Sequence, residues 1–151
     1  MSDSDKEYTR AQPTGELALQ TLAMPMDTNA NGDIFGGWLV SQMDLAAGII
    51  SKQVCKGRSA TVAIEGVRFH NPVSVGSTVT CYCRVVKKGR TSVHLAVEVW
   101  TWHQLTSHDG IKVAEGTFVF VAIDDNGKPR PFPALKTFSS SSGRSPGLRP
   151  G

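Results

Sequence analysis

The stretch NANGDIFGGWLVSQMDLAAGII, from Asn29 to Ile50, places a single acid, Asp44, inside an almost wholly apolar run that opens on Gly36-Gly37. The run from Gly37 to about Lys52 reads as the chain's one long helix. Seven residues after Gly37, Asp44 returns to within about 20° of the same helix face, about 10 Å farther along the axis. Side chains lean toward the helix N-terminus, which shortens that gap. The first turn of a helix carries unpaired N–H groups and a partial positive charge. With no side chains at Gly36 and Gly37, a carbonyl oxygen has access to the amide near Gly37, an oxyanion site in outline. The plainer reading of the glycines is a tight entry into the helix. A carboxylate in apolar surroundings is costly unless it is bonded or used. Asp44 is therefore a catalytic acid-base group or nucleophile, or else a structural acid bonded to a neighbouring strand or facing a subunit interface. Asn29 and Asn31, just ahead, can hold a water or a carbonyl oxygen, or can simply shape the turn.

Other reactive side chains are scattered. Cys55, Cys81 and Cys83 are odd in number, and Cys81-x-Cys83 lacks the Cys-x-x-Cys spacing of a zinc site. On a strand those two share one face, where cysteine acts as a small hydrophobe. His70, His94, His103 and His108 show no ligand spacing, so no metal is expected. Gly143–Gly147 matches the G-x-S-x-G nucleophile elbow, but it sits in a Ser/Gly/Pro-rich tail without the required strand and helix. Lys87, Lys88 and Arg90 make a basic turn, either solvated charge or a grip on phosphates.

The elements that must position these groups follow from periodicity. Glu16–Met24 is a short strand candidate closed by Pro25, and Asp27–Asp33 is a loop of capping and turn residues. After the helix the period changes to two. Strands are expected at Ser59–Phe69, Ser77–Lys88, Thr91–Trp102 and Ile111–Ile123, with a tight turn at Gly89-Arg90 and a loop at His103–Gly110. Strand, helix, then four strands joined by short turns predicts an α+β protein with an antiparallel sheet. Trp38, Leu39, Val40, Met43, Leu45, Ile49 and Ile50 leave the helix little polar face, so it must be covered on nearly all sides; a sheet that curls around it can do this, and a second subunit can cover a large apolar face. The curled sheet is the hotdog architecture, one central helix wrapped by a curved sheet of about five strands.

The 151 residues are one domain's worth, and 40% are apolar, enough for a core. The net charge is +3, but two of the cations, Arg144 and Arg149, lie in the tail from Ser139 onward, which holds no acids. The nearly neutral body is no nucleic-acid footprint. No run of about 18 apolar residues suggests a membrane span, and the polar N-terminus lacks a signal core, so a cytoplasmic location is expected.

These residues resemble the YciA-like acyl-CoA thioesterases of the hotdog superfamily. The likeness is carried by Leu22–Asp44, Phe69–Val79, Lys87–Trp100 and Gly116–Arg130, and it spans roughly residues 15–133. It implies a hotdog acyl-CoA hydrolase domain over 15–133; outside it, the polar residues 1–14 read as a flexible arm and the Ser/Gly/Pro-rich 134–151 as a disordered tail. It also implies hydrolysis of acyl-CoA to free acid and coenzyme A, in lipid metabolism. Coenzyme A is part of substrate and product, so no separate cofactor is called for. The catalytic acid ending GGWxxxxxD corresponds to Asp44, and the asparagine of DxNxxGxxxGG to Asn29. The oxyanion contact corresponds to the Gly37 amide, with Gly36 beside it. The turn Gly89-Arg90-Thr91-Ser92, with Lys87, corresponds to the region near the coenzyme A phosphates. A homo-oligomer is implied, a hexamer built as a trimer of dimers with active sites at dimer interfaces. Two other readings are a non-catalytic acyl-CoA-binding sensor, which need not keep Asp44, and a hydratase or dehydratase. The latter would place a histidine where this chain has Phe35.

Overall fold

The period-two segments do become strands. The computed structural model describes residues 12–102 and 110–133. It contains β1 (Glu16–Leu22), a short 3-10 turn (Pro25–Asp27), α1 (Gly36–Cys55), β2 (Ser59–Phe69), β3 (Thr78–Lys88), β4 (Ser92–Trp102) and β5 (Gly110–Ala122). All pairings are antiparallel, in the order β1-β3-β4-β5-β2. α1 begins one residue earlier and ends three residues later than its apolar pattern predicts. It stops where Lys56 adopts a left-handed conformation, φ 54°. The arm before residue 12, the loop 103–109 with His103 and His108, and the tail 134–151 with its G-x-S-x-G lie outside the described residues.

Alternation decides which side chains meet the helix. Val79, Cys81 and Cys83 of β3 and Val93, Leu95, Val97 and Val99 of β4 are buried. They form one core with Leu39, Met43, Ala46, Ala47 and Ile50 of α1. Burial pushes the Cys81 and Cys83 thiols up to about 12, so both stay protonated and serve as apolar filler. On the opposite face, Trp100 and Trp102 stack with ring centroids 6.1 Å apart, beside a bulge at Val99/Trp100.

The sheet of a single chain covers α1 on one face instead of nearly all round. Leu45 and Ile49 remain 57% and 43% exposed. The edge strand β2 likewise leaves Val62 and Ile64 59% and 45% exposed. Five strands of this length curl over only part of a helix, and the remaining apolar stripe is free for another chain. Among the described residues, no helix is long and apolar enough to cross a membrane.

Candidate active site

The loop before α1 is built by Asn29. Its side-chain Oδ1 accepts from the N–H of Asn31 (2.9 Å) and of Asp33 (3.2 Å). Its backbone N–H donates to Asp33 O at 2.7 Å, and Gly32, at φ +81°, supplies the left-handed corner. The turn-forming role is thus real, and Asn31 contributes only its backbone N–H to it. Committing Oδ1 to the loop leaves the Nδ2 donors of Asn29 with no partner among the described residues. Ile34 N–H to Val73 O (3.0 Å) and Phe35 N–H to Asp27 O (3.0 Å) then deliver the chain into the helix.

Phe35 is the N-cap and offers no side-chain cap. The N–H groups of Gly36 and Gly37 find no acceptor among the described residues. A Cβ on Gly36 would stand 3.0 Å from the Phe69 ring, and one on Gly37 3.0 Å from the Phe35 ring. The two glycines therefore let aromatic rings close on the helix start while the amides stay open. A cleft of about 390 Å³ lies at this end, lined by Asn29, Asp33, Gly36, Phe69, His70 and Asn71 among others. Asn29 and Gly36 therefore share one cavity wall; Gly37 and Asp44 are not part of that wall.

Asp44 lies two turns along α1, half-buried at the border with β2. Thr61 Oγ1 donates to its Oδ1 at 2.6 Å. β2 is bulged between Thr61 and Ala63, a device that re-aims side chains. The bond to a neighbouring strand, one of the structural alternatives for Asp44, is present, and it satisfies one carboxylate oxygen. Oδ2 has no protein donor among the described residues. Sequence reasoning missed Thr61, since its only signal was a hydroxyl on the strand following the helix.

The Gly89–Ser92 turn is placed elsewhere. Ser92 pairs with Val121 and Ser59 with Ala122, so the turn lies at the end of the sheet where α1 finishes. Gly36 and Cys55 are separated by the full helix, about 30 Å at 1.5 Å per residue. An added Cβ at Gly89 would lie 2.8 Å from Ser92 Oγ, a contact that rotation of the serine side chain relieves, so the hairpin's own packing does not demand glycine there. Lys87 and Arg90 are exposed, while Thr91 and Ser92 are half-buried.

A charged network on the outer face was also not foreseen. Lys112 pairs with Glu98 (3.5 Å) and with Glu115, and His70 Nε2 lies 3.7 Å from Glu115. Burial alone would raise Glu98, but bonds from Thr14 and Trp100 and the Lys112 charge hold it below the usual carboxylate range. The bond from Lys112 lowers Glu115, against a smaller effect of burial. Burial would lower Lys112, yet Glu115 and Glu98 hold it above the usual lysine range. Asn71 Nδ2 donates to Lys112 O at 2.8 Å, tying the cleft wall to this network.

With this geometry in hand, comparison with known proteins is specific. The family model described as the thioesterase superfamily matches residues 31–107. The acyl-CoA thioester hydrolase YciA of Salmonella typhimurium is 53% identical over 80% of this chain and 92% of its own. The crystal structure of the hexameric thioesterase y2039 from Yersinia pestis superposes with a TM-score of 0.76 at 48% identity, covering 82% of this chain and all of that one. A hexameric hotdog fold thioesterase of Campylobacter jejuni gives a TM-score of 0.73 at 36% identity, over 79% of this chain and 91% of that one. The chain belongs to the hotdog-fold thioesterase superfamily, and within it to the YciA-type acyl-CoA thioester hydrolases.

Proposed function

We propose that this chain hydrolyses acyl-CoA thioesters to a free carboxylic acid and coenzyme A, with Asp44 as the base. The observation that carries the reading is the Thr61-held carboxylate of Asp44 on the helix whose uncapped amides open beside the Asn29 cleft. A thioester carbonyl is electrophilic, and a thiol with a pKa near 8.5 leaves as thiolate without a strong acid. Such a reaction needs a water, a base and an oxyanion hole. Water attacks the carbonyl carbon, Asp44 takes its proton, and the Gly37 N–H binds the developing oxyanion. Asn29 orients the carbonyl through Nδ2. Collapse breaks the C–S bond, and the proton passes from Asp44 to the departing thiolate. Direct attack by Asp44, giving an anhydride that water then opens, is the alternative route for the same residue.

The spacing of these groups argues for a site shared between protomers. Gly37 and Asp44 of one helix are about 10 Å apart along the axis. The bond to Thr61, near the start of β2, holds the carboxylate away from Gly37. β2 runs antiparallel to α1, with Thr61 beside Asp44 and the Phe69 ring against Gly36. Two β2 edges paired antiparallel about Glu65, next to the exposed Val62 and Ile64, would set Thr61 of one opposite Phe69 of the other. Asp44 of one protomer then approaches the helix N-terminus of its partner. The Gly89–Ser92 turn, at the same end of the sheet as Ser59, comes with it. That turn, with Lys87, meets the coenzyme A phosphates. The same pairing covers Leu45 and Ile49. We read the assembly as a hexamer of three such dimers, and light scattering at micromolar protein that showed a monomer would contradict it.

The direct test is release of free thiol from an acyl-CoA series of short to long chains. Turnover is expected; binding of every member without hydrolysis would favour the acyl-CoA sensor instead.

A further inference from the structure

The segment after β5 turns back over the basic hairpin and closes on it. Arg130 fixes its start: the backbone N–H donates to Ala122 O (2.9 Å), Nε to Ile123 O (3.0 Å) and Nη2 to Cys55 O at the end of α1 (2.9 Å). Two residues on, the Phe132 N–H donates to the carbonyl of Arg90 at 3.1 Å. The Phe132 ring packs against the buried core, and Lys88 Nζ sits over it, 4.7 Å from the centroid. The adjacent Thr91 carbonyl accepts from Ala122 N–H at 2.9 Å.

The hairpin needs such a hold. Its loop is three residues long, and Lys87, Lys88 and Arg90 repel one another on an exposed corner. Within the hairpin only Gly89 N–H to Ser92 O, 2.8 Å, closes the turn. An aromatic face attracts an ammonium placed within about 6 Å, so the ring draws Lys88 inward and relieves part of the repulsion.

We infer that Phe132 is a positioning residue for the nucleotide-gripping turn. Its peptide N–H fixes the Arg90 backbone and its ring face holds Lys88, so Arg90 and Lys87 present one arrangement to the phosphates. The inference rests on the proposed contact of this turn with coenzyme A. Phe132 is remote from the reacting carbon, so its effect is uniform binding, felt in KM and not in kcat.

The test compares Phe132→Ala, Phe132→Leu, Phe132→Tyr and Arg90→Ala on an acyl-CoA and on the matching acyl-pantetheine, which lacks the nucleotide. Phe132→Ala and Phe132→Leu should raise KM for acyl-CoA several-fold, leave kcat within about twofold, and leave acyl-pantetheine unchanged. Phe132→Tyr, which keeps an aromatic face, should behave as the parent. Leucine preserves the apolar plug, so Phe132→Leu decides the matter if Phe132→Ala fails to fold. A parental KM in the leucine variant, or an equal loss on both substrates, overturns the inference. Loss in Arg90→Ala with parental behaviour in the Phe132 variants removes the clasp alone. No loss in Arg90→Ala removes the underlying contact with coenzyme A.

Discussion

Thr61 on β2 donates a 2.6 Å hydrogen bond to Oδ1 of Asp44 on α1, joining the edge strand to the helix at the carboxylate proposed as the base. A hydroxyl bound to one oxygen fixes the plane of the carboxylate and aims the other. Thr61→Val keeps the shape and removes the donor. It should lower kcat by about tenfold, since positioning of a base contributes part of its about 10²–10⁴-fold effect. Thr61→Ser should recover most of the rate. Parental kcat in Thr61→Val would make the bond purely structural.

If Asp44 and the Asn29 cleft serving one thioester come from different protomers, inactive variants should complement each other. Asp44→Asn co-expressed with Asn29→Ala should show activity that neither homo-oligomer has, because some mixed dimers hold one intact site. Activity in the mixture no greater than the sum of the separate variants would place both groups in the same protomer.

Arg90 offers two donors to a phosphate in a fixed plane. Arg90→Ala should raise KM for acyl-CoA several-fold with kcat little changed, and should spare acyl-pantetheine. Steady-state kinetics on the two substrates checks this. An equal loss on both would make Arg90 a fold or interface residue.

Much of this was legible in advance because the relevant periods are local. The period-two recurrence of Val93, Leu95, Val97 and Val99 placed β4 and its buried face, and the β2 to β5 boundaries fell within one residue of expectation. The turn chemistry of Asn29 was readable for the same reason. The Thr61–Asp44 bond joins residues whose spacing carries no pattern, and a bulge had to re-aim the strand. The open stripe of Leu45 and Ile49 was hidden because an apolar helix looks the same whether its own sheet or a second chain covers it. The position of the Gly89 turn at the far end of α1 depends on strand order, which periodicity does not encode.

The outer-face network makes stability depend on pH. Glu98 and Glu115 titrate below the ordinary glutamate value of about 4.3 in the folded chain. Their stabilisation is fully present above that value and lost as pH falls through the lowered folded values. Urea unfolding should therefore show a gap between the parent and Glu98→Gln at pH 7 that narrows below about pH 4. A gap that stayed constant down to about pH 3 would mean that ionisation of Glu98 adds nothing.

The proposed mechanism stands on Asp44 as the base. The most direct measurement is the kcat of Asp44→Asn on an acyl-CoA that the parent hydrolyses, with circular dichroism and light scattering confirming parental fold and assembly. Asparagine fits the site and accepts the Thr61 bond but cannot take a proton from water. Loss of the base should lower kcat by at least about 10²-fold. A folded, assembled Asp44→Asn turning over at the parental rate would contradict it and make Asp44 a structural acid.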